Sequence, residues 1–359
     1  MPDAPAMPPA AAPLPSVPGD VIRAFAIWLV VLLHSAAEPV IWHLPAQDTG
    51  RWWAANLYDS LARPAVPLFL LLSGGLLLAP GKSEPLGAFF RKRVARIGAP
   101  FLLWAAVYFA WRHVVKGEAV GWSLIWHNTV EGSPYFHFWF LYMLIGLYLA
   151  TPLLRVLLTH ADRNLLRYGA GVWFAGQAIA PLLARWDWVH LGGGLLPLSG
   201  FVGYFVLGAI LRRDRLDWRI GLGVWLAAFA WTAWATWQGT VAAGGNLEQA
   251  WYDYLSINVI LAACGLYACL TALPVEELQA RWPRVLRLLG AVGRDSFAIY
   301  FAHVLVLETL QQGYLGVRLN TVVCHPAYGI PLLASVGLGL TFLGVRLLRL
   351  VPGLGTVLG

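Results

Sequence analysis

The sequence predicts an all-α fold: a polytopic helical bundle in a membrane, with about ten spanning helices and both termini on the cytoplasmic side. Three observations carry this reading. Of 359 residues, 59% are hydrophobic and 12% are charged, about half the charged share of a soluble domain. The apolar residues fall in runs approaching the roughly 20 residues that a bilayer crossing needs. The basic residues are distributed unevenly between the segments that separate those runs. The 19 Trp fit the same picture, because amphipathic rings gather at membrane interfaces.

In chain order, the candidate spans are 20–42, 62–79, 97–115, 136–157, 166–184, 197–212, 218–238, 252–273, 294–312 and 327–350. The second and sixth are short or interrupted by Pro and Gly. With the N-terminus inside, cytoplasmic segments hold 19 of the 25 Lys and Arg and outer segments hold 6, as the positive-inside bias requires. Residues 1–19 are rich in Ala and Pro, contain no Lys or Arg, and lack the basic start of a signal peptide. They are expected to form a disordered cytoplasmic tail. Residues 20–352 then form one transmembrane domain, and 353–359 (GLGTVLG) a frayed C-terminal tail.

Two outer loops, 43–61 and 116–135, are long. They carry Trp52, Trp53, Asn56 and Asp59, and Trp122, Trp126, His127 and Asn128. They either cover a site from outside or anchor the chain at the interface. The net charge of +7 would suggest nucleic acid in a soluble protein; here topology explains it, and no nucleic-acid partner is expected. Cys264 and Cys269 lie in one apolar span, and with Cys324 they show no metal spacing. No disulfide framework and no metal site are expected.

Ionisable groups inside a bilayer are costly, so each is a functional candidate. Arg23 and His34 are 11 residues apart on the first span. That is three helical turns plus about 20°, so they share a face about 16 Å apart along the axis. Glu38, four residues further, shares the face. A phosphate-bearing donor docked at Arg23 could extend a long arm to His34, which titrates near neutral pH and suits a general base. Glu38 could orient the ring or hold it cationic. The plainer alternative is a snorkelling Arg and a His bonded to a neighbouring helix.

Ser73, Gly74 and Gly75 either pack helices closely or let a slender ligand chain pass. Arg91, Lys92, Arg93 and Arg96 form a cationic loop before the third span. Arg93 and Arg96, three apart, would share a face and could clamp phosphates, although positive-inside topology explains part of this charge. His137 and Trp139 open the fourth span, and Tyr300 and His303 share a face of the ninth. They are candidate substrate contacts, or members of an aromatic belt and a His satisfied by another helix.

In this order and spacing the motifs resemble the type-3 membrane acyltransferases, which transfer acyl groups, usually acetyl, to hydroxyls of cell-surface sugars. The resemblance rests on Arg-x10-His (Arg23, His34), on Ser73–Gly74 with Arg93 and Arg96, and on HFWFLYMLIGLYLATPLLR and SFAIYFAHVLV. It covers nearly the whole chain, within the short branch that lacks a fused extracytoplasmic domain. It implies a multi-pass O-acetyltransferase of the bacterial cytoplasmic (inner) membrane, with acetyl-CoA as cytoplasmic donor. The implied acceptor is a carbohydrate or glycolipid, in polysaccharide modification. It also implies a catalytic His34, Arg23 in donor binding or positioning, and Arg93 and Arg96 at the CoA phosphates. Some relatives modify peptides, antibiotics or lipids, so the acceptor is not fixed. A transporter or flippase for a lipid-linked or small anionic substrate is the rival. Charge concentrated at one face and the lack of two matched broken helices count against it. A purely structural or sensory subunit would leave the Arg23–His34–Glu38 face unexplained.

Overall fold

The computed structural model describes residues 18–42, 48–79, 81, 84–185, 200–321 and 323–359. The expected N-terminal tail lies almost wholly outside them. Among the described residues the chain is helical, without strands: α1 (Gly19–Trp42), α2 (Thr49–Ala62), α3 (Ala65–Leu77), α4 (Leu86–Val114), α5 (Trp122–Val130), α6 (Trp139–His160), α7 (Arg163–Phe174), α8 (Ala180–Arg185), α9 (Val202–Arg213), α10 (Trp218–Ala242), α11 (Ile257–Thr271), α12 (Val275–Arg281), α13 (Pro283–Arg294), α14 (Ser296–Gln312) and α15 (Pro326–Leu348).

Among the described residues, seven segments are long and apolar enough to cross a membrane: Gly19–Ile41, Thr49–Leu77, Leu86–Val114, Phe136–His160, Trp218–Ala242, Ala250–Thr271 and Pro326–Leu348. An eighth is added if α13 and α14, bent by 80°, are taken as one broken span. Each of the ten expected segments contains a helix. The three outside the seven are α7–α8, interrupted by a π-turn at Ala175–Ile179, the short α9, and α14 with its bend.

α1 is apolar over most of its surface and sits at the centre, as a largely apolar helix must. It packs against α2, α3, α13, α14 and α15, burying Ile22, Ala26, Ile27, Val31, Leu32 and Ala36 completely. α3 and α9 cross so closely that a Cβ on Gly74 would meet the Phe205 carbonyl oxygen at 2.0 Å. A Cβ on Gly208 would meet the Leu71 carbonyl oxygen at 2.0 Å. This is the small-residue contact that membrane helices use to bring backbones together. Two arginines then cap the C-terminal end of α3, where free carbonyls favour cations. Arg155 Nε donates to the Leu77 carbonyl at 2.8 Å and Arg212 Nη1 to the Gly75 carbonyl at 2.7 Å.

The α13–α14 corner is fixed in the same manner. Gly293 lies against α1, with its missing Cβ position 1.9 Å from the Asp20 carbonyl oxygen. Asp295 at the bend receives Arg346 Nε at 2.7 Å and Arg349 Nε at 3.2 Å from the end of α15. This clamp aims the first turn of α14 at the Arg23 end of α1.

Four expectations change. Of the expected outer loop 43–61, residues 43–47 lie outside the described residues, and from Thr49 onward the chain is helix α2, with Trp52, Asn56 and Asp59 as buried core residues. Their polarity misleads, because the fold supplies partners: Asn56 Nδ2 donates to the Ala233 carbonyl at 2.8 Å, and Asp59 pairs with Arg63. The basic cluster Arg91–Arg96 is not a loop either; it lies on the first turns of α4, which begins at Leu86. Within 116–135 a short helix, α5, exposes Trp122 and Trp126. The C-terminal residues are docked rather than frayed. Leu358 is buried, its carbonyl accepts from Trp104 Nε1 at 3.1 Å, and the Gly359 oxygen accepts from Arg349 Nη2 at 2.7 Å.

Candidate active site

A cavity of about 140 Å³ opens among α1, α3, α4, α6 and α14. Arg23, Ser73, Arg93 and Arg96 line it, with Tyr148, Ser296 and Tyr300. Residues from five helices thus converge where the sequence suggested a donor site. On α4, Arg93 turns inward: its guanidinium lies 4.8 Å from the Phe89 ring centre and 5.3 Å from that of Tyr148. Its Nε is buried without a hydrogen-bond partner among the described residues. Arg23 is held by Asp20, Nη1 to Oδ1 at 2.7 Å. The α14 N-terminus contributes Ser296 and the positive end of its dipole. Cations, a helix N-terminus and an unused N–H together suit an anionic phosphate group.

The rest of the basic cluster behaves differently. Arg91 and Lys92 are exposed and do not line the cavity. Lys92 Nζ donates to Glu84 Oε2 at 2.8 Å, and Arg155 Nη1 lies 3.5 Å from Glu84 Oε1. The hydrogen bond from the Lys92 ammonium, with the nearby Arg155 charge, holds the Glu84 carboxyl below its ordinary range. Gly74 does not reach the cavity; its service is the α3–α9 contact, while its neighbour Ser73 faces the ligand space.

Tyr300 joins this cavity to a cluster of three histidines. Its hydroxyl donates to the His137 carbonyl, and its ring lies 5.4 Å from that of His137 and 6.0 Å from that of His303. His303 in turn lies 5.2 Å from His34 and 5.5 Å from His137. The cluster is assembled from α1, the turn before α6, and α14, far apart in sequence. His137 and His303 are buried, and His34 is half-buried.

His303 has a defined tautomer. Its Nδ1 approaches the Tyr300 carbonyl at 2.6 Å and the Ile299 carbonyl at 3.2 Å. Both are acceptors, so Nδ1 carries the proton and Nε2 presents a lone pair. That Nε2 has no partner among the described residues, and neither does either ring nitrogen of His137. Such polar atoms in an apolar interior are costly when unpaired, which makes the histidine cluster a candidate site.

Two expected site residues stand apart. Glu38 accepts from Gln311 Nε2 at 3.1 Å rather than orienting His34. Trp139 packs between Phe201 and Tyr254, with ring centres 5.6 Å from each. It forms an aromatic wall beside the histidines, not a contact with them. Sequence reading passed over Phe140, Leu144 and Tyr148, which line the cavity from α6. Their four-residue spacing places them on one helical face, a signal available in the sequence. It also passed over Arg155 and Glu84, whose pairing no local pattern announces.

An acyltransferase domain family matches residues 20–349. No curated protein and no solved structure matched the chain. The match spans the central helix, the cavity and all three histidines, and the chain therefore belongs to the type-3 acyltransferase domain family.

Proposed function

We propose that this protein transfers an acetyl group from cytoplasmic acetyl-CoA to a hydroxyl of a cell-surface carbohydrate or its lipid-linked precursor. The observation that carries the proposal is a chain of neighbours: Arg23, Arg93, Arg96 and Tyr300 line one cavity, the Tyr300 ring lies beside His137 and His303, and His303 lies beside His34. A donor with phosphates at one end and a reactive thioester at the other fits a site with cations at one end and imidazoles at the other.

In this reading the N-terminus and the basic end of the cavity face the cytoplasm, in the inner membrane of a bacterium. Arg93 and Arg96 hold the donor phosphates, with Arg23 beside them. Ser73 and Tyr148 border the passage for the pantetheine arm. His34 takes the proton from the acceptor hydroxyl as its oxygen bonds to the acetyl carbonyl carbon. The C–S bond then breaks, and the sulfur leaves as a thiolate that receives the proton from the imidazolium. His303, locked with its proton on Nδ1, offers Nε2 as the neighbouring acceptor. The outer aromatic wall of Trp139, Phe201 and Tyr254 gives flat apolar faces on the acceptor side.

The test is mass spectrometry of surface glycans from cells with wild-type protein, with a His34→Ala variant and without the protein. Loss of one acetyl increment in the variant and in the deletion is expected. A full acetyl increment in the His34→Ala cells would overturn the assignment. For the transporter alternative, substrate flux in proteoliposomes without consumption of acetyl-CoA would decide in its favour.

A further inference from the structure

Arg63 occupies the centre of the Thr49–Leu77 span, fourteen residues from each end. It sits in the break between α2 and α3, where Pro64 interrupts the hydrogen-bond ladder. A guanidinium at mid-membrane depth is costly unless it is paired, and it marks a functional position by default.

The charge is paired and held in one orientation. Asp59, one turn earlier and 1% exposed, forms an ion pair with Nη2. The Tyr252 ring lies 4.0 Å from the Arg63 Cζ, and the Tyr252 carbonyl accepts from Nη1 at 3.3 Å. Tyr252 is itself fixed through its hydroxyl to Asn56 Oδ1 at 2.5 Å, and Asn56 Nδ2 donates to the Ala233 carbonyl at 2.8 Å. α2, α10 and the segment before α11 thus build one clamp around one cation. The Nε–H is left over: buried, and without a partner among the described residues.

The clamp borders the histidine chamber. Tyr254, two residues beyond Tyr252, stacks on Trp139, two residues beyond His137. α1, which carries His34, packs on both α2 and α3. A buried pair of this kind adds little net stability compared with apolar residues of the same volume, so packing alone gives no reason for its presence.

We propose that Arg63 is an electrostatic positioning residue for acyl transfer, a fixed cation that stabilises the negative charge developing on the acetyl carbonyl oxygen in the histidine chamber. This rests on the acetyl-transfer reading. When the acceptor oxygen bonds to the carbonyl carbon, the C=O π pair moves onto oxygen and His34 takes the hydroxyl proton. When that pair returns, the C–S bond breaks and sulfur leaves with its electrons. Preorganised positive charge near the oxygen lowers this barrier, because the protein has already oriented it. Asp59, Tyr252 and Asn56 supply the orientation.

The experiment follows transfer from labelled acetyl-CoA into the endogenous glycans of inside-out membrane vesicles, as initial rate against donor concentration, for the full-length chain. The informative variant is Asp59→Asn with Arg63→Met, which removes both charges and leaves no orphaned carboxylate. Arg63→Lys, which keeps the charge, is the second. The double variant is expected to insert and melt like wild type, with an unchanged donor KM and a maximal rate about a hundredfold lower. Arg63→Lys is expected to recover part of that rate. A double variant within threefold of the wild-type maximal rate would overturn the proposal, and so would a loss confined to KM. If the double variant does not insert, Arg63→Lys decides: wild-type rate with lowered melting temperature overturns the proposal, and a lowered rate with unchanged KM supports it. Wild-type vesicles that transfer no label, or a fully active His34→Ala, would instead remove the acetyl-transfer reading itself.

Discussion

His34 on α1 and His303 on α14 face each other with ring centres 5.2 Å apart, and the His303 tautomer is set by carbonyls of its own helix. His303 is thus anchored, while His34 is half-buried and makes no hydrogen bond among the described residues; in the proposed reaction His34 is the ring that meets the acceptor. His34→Ala should lower acetyl transfer by about 10³–10⁴-fold with normal insertion. His303→Gln, which keeps polarity but loses the fixed imidazole, should cost about 10–10²-fold. Initial rates in membrane vesicles check both, and equal losses would mean that the two rings act as one unit.

Arg93 and Arg91 are two residues apart on α4, and only Arg93 lines the cavity. Arg93→Ala should raise the donor KM about tenfold or more, with a steep salt dependence for the wild type that flattens in the variant. Arg91→Ala should leave the KM within about twofold, as exposed charges contribute little. Donor titration at two ionic strengths distinguishes them.

Gly74→Ala tests packing rather than binding. The added Cβ would meet backbone of α9, so the α3–α9 crossing must open, at about 1–3 kcal/mol. Melting temperature and active fraction should fall together, with an unchanged donor KM among molecules that remain folded. A change in KM alone would assign Gly74 to the ligand passage instead.

Tyr300→Phe removes the hydroxyl that ties α14 to the His137 carbonyl and should cost about 1 kcal/mol of stability. Because the ring also borders both the cavity and the histidines, the maximal rate should drop while donor binding is kept. Thermal melting alongside initial rates separates the two effects.

Glu84 lies between Lys92 and Arg155. Its carboxyl is held below the ordinary range, chiefly by the Lys92 hydrogen bond. A depressed folded-state pKa means stability that is present above the unfolded carboxylate pKa and lost as pH falls through the folded value. Wild type should therefore melt slightly above Glu84→Gln at neutral pH, and the two should converge in acid. A difference that grew as pH fell would contradict the assignment.

The class of fold was legible in the sequence because the bilayer imposes a length and a polarity on every crossing. The runs around 20–42, 136–157, 218–238, 252–273 and 327–350 all reappear as long helices. Boundaries were less legible where polar residues sit inside helices. Asn56 and Asp59 read as loop, since a sequence does not display the partners that satisfy them. The Arg23–His34 spacing was visible because both lie on one helix, and helical period is a local property. That Arg93 turns inward while Arg91 does not, that Gly74 meets a backbone carbonyl, and that His34, His137 and His303 share a chamber were decided only by tertiary packing. Those contacts join residues up to hundreds of positions apart, and no local periodicity encodes which helical faces meet.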